Sequence, residues 1–141
     1  MDEVMSREIA EMLDKARGDR RAGRFEDAER GYRAAAAQAR AERQQIALAY
    51  ALRHVSDLAR ERGSAEEALE ASAEAVQIYR AEADARPLDL ANAMRLNALA
   101  LTDAGRGAEA KEMWLEALEL YSSAGVQAGV DDANAHLAAQ E

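Results

Sequence analysis

Gly23-Arg-Phe-Glu-Asp-Ala28, Gly63-Ser-Ala-Glu-Glu-Ala68 and Gly105-Arg-Gly-Ala-Glu-Ala110 are three versions of one corner. Each begins with Gly, passes through two residues and a pair of positions holding at least one acid, and closes on Ala. The closing alanines stand 40 and then 42 residues apart. Each Gly follows a long helical stretch and suits the left-handed position just past a helix C-terminus, because it has no Cβ to clash. Acids favour the first turn of a new helix, where free N–H groups carry partial positive charge. The motif therefore reads as a helix–turn–helix corner. Its period predicts an array of helix pairs, each too small to bury its own apolar face.

Outward from the corners, the helices that follow them (B) share an apolar row: Phe25, Ala28, Tyr32, Ala35, Ala39; then Ala65, Ala68, Ser72, Ala75, Tyr79; then Gly107, Ala110, Trp114, Ala117, Tyr121. The 3-4-3-4 spacing is one face of a helix, so these positions are expected in the core. The preceding helices (A) align as well. Ala49-Tyr50-Ala51-Leu52-Arg53 lies 42 residues before Ala91-Asn92-Ala93-Met94-Arg95, and a further 42 before Ala133-Asn134-Ala135-His136-Leu137. A fourth A helix is thus expected near Val130, after a break at Gly125 and Gly129, to cap the last apolar edge. The expected helices are 2–22, 25–42, 46–62, 64–84, 87–104, 106–123 and 129–139, with Pro87 in a first turn. The linkers are short, so neighbours pack antiparallel. One domain over 1–141 is expected, with repeats at about 2–42, 46–84 and 87–123 and a capping helix at about 129–139.

Composition agrees. Nearly half of the 141 residues are apolar, mostly Ala and Leu, and only six are aromatic. There is one Pro and no Cys, so disulfides, thiolate metal sites and cysteine nucleophiles are excluded. The charged N-terminus lacks the apolar core of a signal peptide, and no run is long enough to span a bilayer. A soluble, cytoplasmic protein is expected, with no membrane partner. Net charge is −9 and falls along the chain: zero over 1–44, −3 over 45–86 and −6 over 87–141. An acidic chain repels phosphate backbones, so no nucleic-acid partner is expected. The arginines of the first third, including Arg17, Arg20, Arg21, Arg24, Arg30 and Arg33, are expected to pair with neighbouring acids on solvated faces.

These residues resemble the tetratricopeptide repeat (TPR) over nearly the whole chain. The first unit carries Ala16, Gly23, Phe25, Ala28, Tyr32 and Ala35 at the family's places. The third carries Ala98, Gly105, Ala110, Trp114 and Ala117 but has Gly107 where an aromatic is usual; the second has Ala65 and Ser72 at both aromatic places. The long interval resembles the kinesin light chain type of repeat, found also in bacterial adaptors. The resemblance implies an all-α, right-handed α-solenoid of three TPR-like repeats plus a capping helix, seven helices in all, acting in protein or peptide binding.

Signatures of catalysis are absent: no Gly-rich phosphate loop with Lys-Ser/Thr, no Gly-x-Ser-x-Gly, no His-Glu-x-x-His. His54 and Ser56 are two apart on a helix and point to different faces. No enzyme activity, cofactor or metal is expected. The candidate surface is the concave face of the A helices. Tyr50, Arg53, His54, Asp57 and Arg60 share one face of the second; Asn92, Arg95, Leu99 and Asp103 repeat it on the third; Asn134 is in register on the fourth. Arg53 and Arg95 on neighbouring ridges suit a carboxylate, and the Asn side chains suit a peptide backbone. The same spacing also lets Arg53 and Asp57 satisfy each other as an i,i+4 pair. Relatives that clamp a terminal carboxylate want Asn where Asp57 and Leu99 stand, so that clamp is not carried over. The expected function is an adaptor holding a peptide or extended protein segment in this groove. The alternative is a self-associating scaffold without a groove ligand, a homodimer joined through Val4, Ile9, Met12 and Leu13 on the edge of the first helix.

Overall fold

The computed structural model describes residues 5–140. Among them are seven helices and no strand: α1 (Arg7–Arg21), α2 (Phe25–Ala41), α3 (Gln45–Glu61), α4 (Ala65–Ala81), α5 (Pro87–Asp103), α6 (Gly107–Ala124) and α7 (Gln127–Ala139). Each packs on its neighbours in sequence, and α3 also touches α5 across one pair. The molecule is an α-solenoid, with α1, α3, α5 and α7 as A helices and α2, α4 and α6 as B helices.

Five of the six corners share one device. The backbone turns left-handed at Gly23, Arg43, Gly63, Gly105 and Gly125. The next N–H then reaches back over the helix end: Arg24 to Asp19 O, Gln44 to Ala39 O, Ser64 to Ala59 O, Arg106 to Leu101 O and Val126 to Tyr121 O, at 2.8–3.0 Å. These bonds satisfy carbonyls that a helix end otherwise leaves open. The sixth corner, α4 to α5, is different: Glu82 is extended and Pro87 takes the first turn of α5. That is why α4 stops at Ala81 rather than at 84. At the other end, Ser6 caps α1 by accepting from the Ile9 N–H, so the helix begins at Arg7 rather than at 2. The rest of that expected turn, Val4 included, lies outside the described residues.

In the B rows, the second to fifth places are buried in all three units, whereas the first is not: Phe25 and Gly107 are exposed and Ala65 is half-buried. The first place is the opening residue of each B helix. Tyr32 and Trp114 are fully buried at the third place. Ser72 replaces them in the middle unit, accepting from Asn97 Nδ2 at 3.1 Å, so a buried polar pair stands where the other units hold a ring. Gly129 does not break the chain. It lies inside α7, and a Cβ built on it would come 2.3 Å from the Tyr121 ring. The glycine is there for close approach; only Gly125 makes the turn.

Candidate functional site

The A-helix stripe carries side chains that reach from one unit to the next. Arg53 Nη1 donates to Asp89 Oδ1 at 3.3 Å and to the Tyr79 hydroxyl at 3.4 Å. Asp57 accepts from Arg20 at 2.7 Å, and Arg95 donates to Asp132 at 2.7 Å. Arg60 donates to Asp103 at 2.7 Å. Arg53 and Asp57 therefore do not satisfy each other. Arg53 reaches forward to α5 and Asp57 back to α1, so each pairs with a neighbouring A helix rather than along its own.

Tyr50 sits between two guanidiniums, with Arg17 Cζ 5.9 Å and Arg53 Cζ 5.7 Å from its ring centroid. Its hydroxyl accepts from Arg17 at 2.8 Å. The His54 ring is stacked on Tyr32, centroids 4.6 Å apart, and tilted against Tyr50 at the same distance. Burial, followed by the charges of Arg53, Arg20 and Arg17, lowers its pKa to about 4, against the opposing pull of Asp57. The imidazole is neutral near pH 7. Asn92 Oδ1 accepts from the Tyr121 hydroxyl at 2.7 Å.

Arg53, His54, Asp57, Asn92 and Arg95, with Leu96, line one depression of about 160 Å³ between α3 and α5. Tyr50 borders it through its contact with His54. Two members of the expected stripe stand apart. Leu99 is 8% exposed and packs with Leu96, Leu101 and Trp114, because an apolar side chain in that register turns inward. Asn134 is exposed on α7 and is not part of this lining.

Within the depression, Arg53 is loosely held. Its two hydrogen bonds are long, and its buried Nε–H has no acceptor. Asp89 does not depend on it, since Arg86 Nε also donates to that carboxylate at 3.0 Å. An unpaired buried donor is costly unless a partner arrives.

A larger hollow of about 620 Å³ lies on the other side of His54, lined by Arg17, Arg20, Arg21, Phe25, Tyr32 and His54. The sequence contained its signal: three arginines in the last turns of α1, in register with the stripe of α3. Reading Phe25 and Tyr32 as one core row hid it, because Phe25 is 55% exposed. No group of three or more His, Asp or Glu among the described residues is placed to hold a metal ion. No helix among them is long and apolar enough to cross a membrane.

No family model matches the chain, and no curated protein is similar to it by sequence. In three dimensions it is similar to the type III secretion translocator chaperone SycD of Yersinia enterocolitica, solved as an alternative dimer. The TM-score is 0.76 over 99% of this chain and 96% of that one, at 16% identity. At that identity the likeness is one of fold. The chain has a TPR-like helical-repeat fold.

Proposed function

We propose that this chain is a protein-binding adaptor that holds an extended segment of a partner polypeptide against the A-helix face, across α3 and α5. The observation that carries this reading is Arg53: a half-buried guanidinium with long bonds and an unpaired Nε–H, in a depression shared with Asn92 and Arg95. Arg53 and Arg95 suit acceptors on the segment, Asn92 suits its backbone, and Tyr50 adds an amphipathic ring. Leu99 acts from beneath as packing, and Asn134 extends the polar surface towards α7. The similarity in fold to a secretion chaperone is consistent with a non-enzymatic, cytoplasmic role. The long repeat interval favours the kinesin light chain type of unit, within one domain over 1–141.

A peptide array probed with the wild-type protein and with Arg53→Ala/Arg95→Ala tests the groove. Asp89 keeps Arg86 as a partner, and Asp132 is partly open to water, so the variant should fold. Loss of signal on the peptides that the wild type binds supports the groove; equal signal rejects it.

Self-association is the second reading, favoured by the dimer in which SycD was solved. Here the first-helix edge is reduced. Ile9 and Leu13 are turned into the core, Met12 is partly covered, and Met5 is exposed. Sedimentation of the wild type and Met5→Gln would reveal a dimer that depends on this edge.

A further inference from the structure

The hollow beside His54 is lined in part by Tyr32, whose hydroxyl has nothing to bond. Tyr32 is 0% exposed, and its OH has no hydrogen-bond partner. The hydroxyl end feels the charges of Arg17, Arg20 and Arg21, three of the residues that line the hollow, while burial keeps it protonated. Guanidiniums offer only donors, so a donor hydroxyl in their midst lacks an acceptor. The arginines differ. Arg17 is held by Asp14 and Tyr50, and Arg20 by Asp57 and Glu61. Arg21 makes no ion pair among the described residues, and no carboxylate lines the hollow. Phe25 stands exposed at its rim.

We propose that this hollow anchors an acidic side chain of the partner segment: a Glu or Asp carboxylate accepts from Arg21 and from the Tyr32 hydroxyl, and an apolar neighbour in the segment lies on Phe25. The proposal rests on the groove reading above and names the chemistry of its partner. One uncompensated cation suits a single negative charge better than a phosphate dianion. A polypeptide suits the space better than a small acid. The hollow shares His54 with the 160 Å³ depression and Phe25 with another of about 430 Å³ beside Leu58. A small acid fills one of these; an extended chain crosses all three.

Fluorescence anisotropy with two labelled peptides, one containing Glu-Leu and the other Gln-Leu in the same Gly/Ser/Ala scaffold, tests the proposal. The Glu peptide should bind about tenfold tighter or more, the worth of a hydrogen bond to a charged group. Arg21→Gln and Tyr32→Phe should both abolish that preference, with an unchanged or raised Tm for Tyr32→Phe, which removes only the unpaired hydroxyl. Equal binding of the two peptides, or survival of the preference in either variant, overturns the anchor. So does 3-phenylpropionate binding as tightly as the Glu peptide, which would make this a small-molecule site. Arg53→Ala/Arg95→Ala separates the two readings. If it weakens both peptides alike while the Glu preference is absent, the groove stands and the anchor falls. If it changes nothing while Arg21→Gln and Tyr32→Phe abolish the preference, the anchor stands and the groove falls.

Discussion

The imidazole of His54 lies flat on the ring of Tyr32, planes 10° apart, and His136 lies in the same way on Trp114, centroids 4.2 Å apart. In both cases the histidine of an A helix covers the central ring of the B helix before it. At His54 burial favours the neutral ring, and the arginines around it reinforce that. In the unfolded chain the same group has an ordinary pKa near 6.5. The unfolded state therefore binds more protons below that pH, and stability falls as pH drops from about 6.5 to about 4. The loss should approach about 3 kcal/mol. Urea melts at pH 7 and pH 5 should show most of this fall, and His54→Phe, which keeps a stacked ring, should remove it.

Ion pairs between units have a direction. On the A side, Arg20, Arg53, Arg60 and Arg95 each reach an acid on the following A helix. On the B side, Arg33, Arg40 and Arg80 reach Glu67, Glu74 and Glu116 on the following B helix. Only Arg62 to Glu29 runs backwards among these pairs. Each unit lends cations forward, in the same direction as the decline in net charge along the chain. Exposed pairs contribute little and partly buried ones more. Double-mutant cycles should give about 1 kcal/mol for Arg20–Asp57 and a few tenths for Arg80–Glu116. Both couplings should shrink in molar salt.

Gly129→Ala should destabilise. Elsewhere in a helix this change gains about 1 kcal/mol from propensity. Here the new methyl meets the Tyr121 ring, and overpacking of this kind costs about 1–3 kcal/mol. A Tm below wild type is expected, together with loss of the Tyr121–Asn92 hydrogen bond; a raised Tm would mean that α7 does not seat on that ring.

Arg43→Gly should stabilise. Arg43 is the one non-glycine residue with positive φ among the described residues, at 58°. Relief of that strain is worth about 1 kcal/mol, less some chain entropy. Thermal melts of the two proteins measure the difference directly.

The repeat, the helix count and the buried B-row places were legible because the 3.6-residue helix and the corner glycine impose fixed spacings on the sequence. What could not be read depended on how separate helices meet. Arg53 and Asp57 look like partners along one helix but each belongs to another unit. Leu99 shares the register of Asp57 yet turns into the core with Trp114. Gly129 resembles a turn signal but serves a contact with Tyr121. The hollow at Tyr32 exists only once α1, α2 and α3 are assembled, and no spacing in one helix announces an unpaired hydroxyl.

The central claim is that a partner segment lies on the A helices. Backbone amide chemical-shift mapping, with the tightest-binding array peptide added to labelled protein, tests it most directly. The account predicts shifts at Tyr50, Arg53, His54, Asn92 and Arg95, spreading to Arg21 for acidic peptides. Shifts confined to the outer faces of α2, α4 and α6 would contradict it.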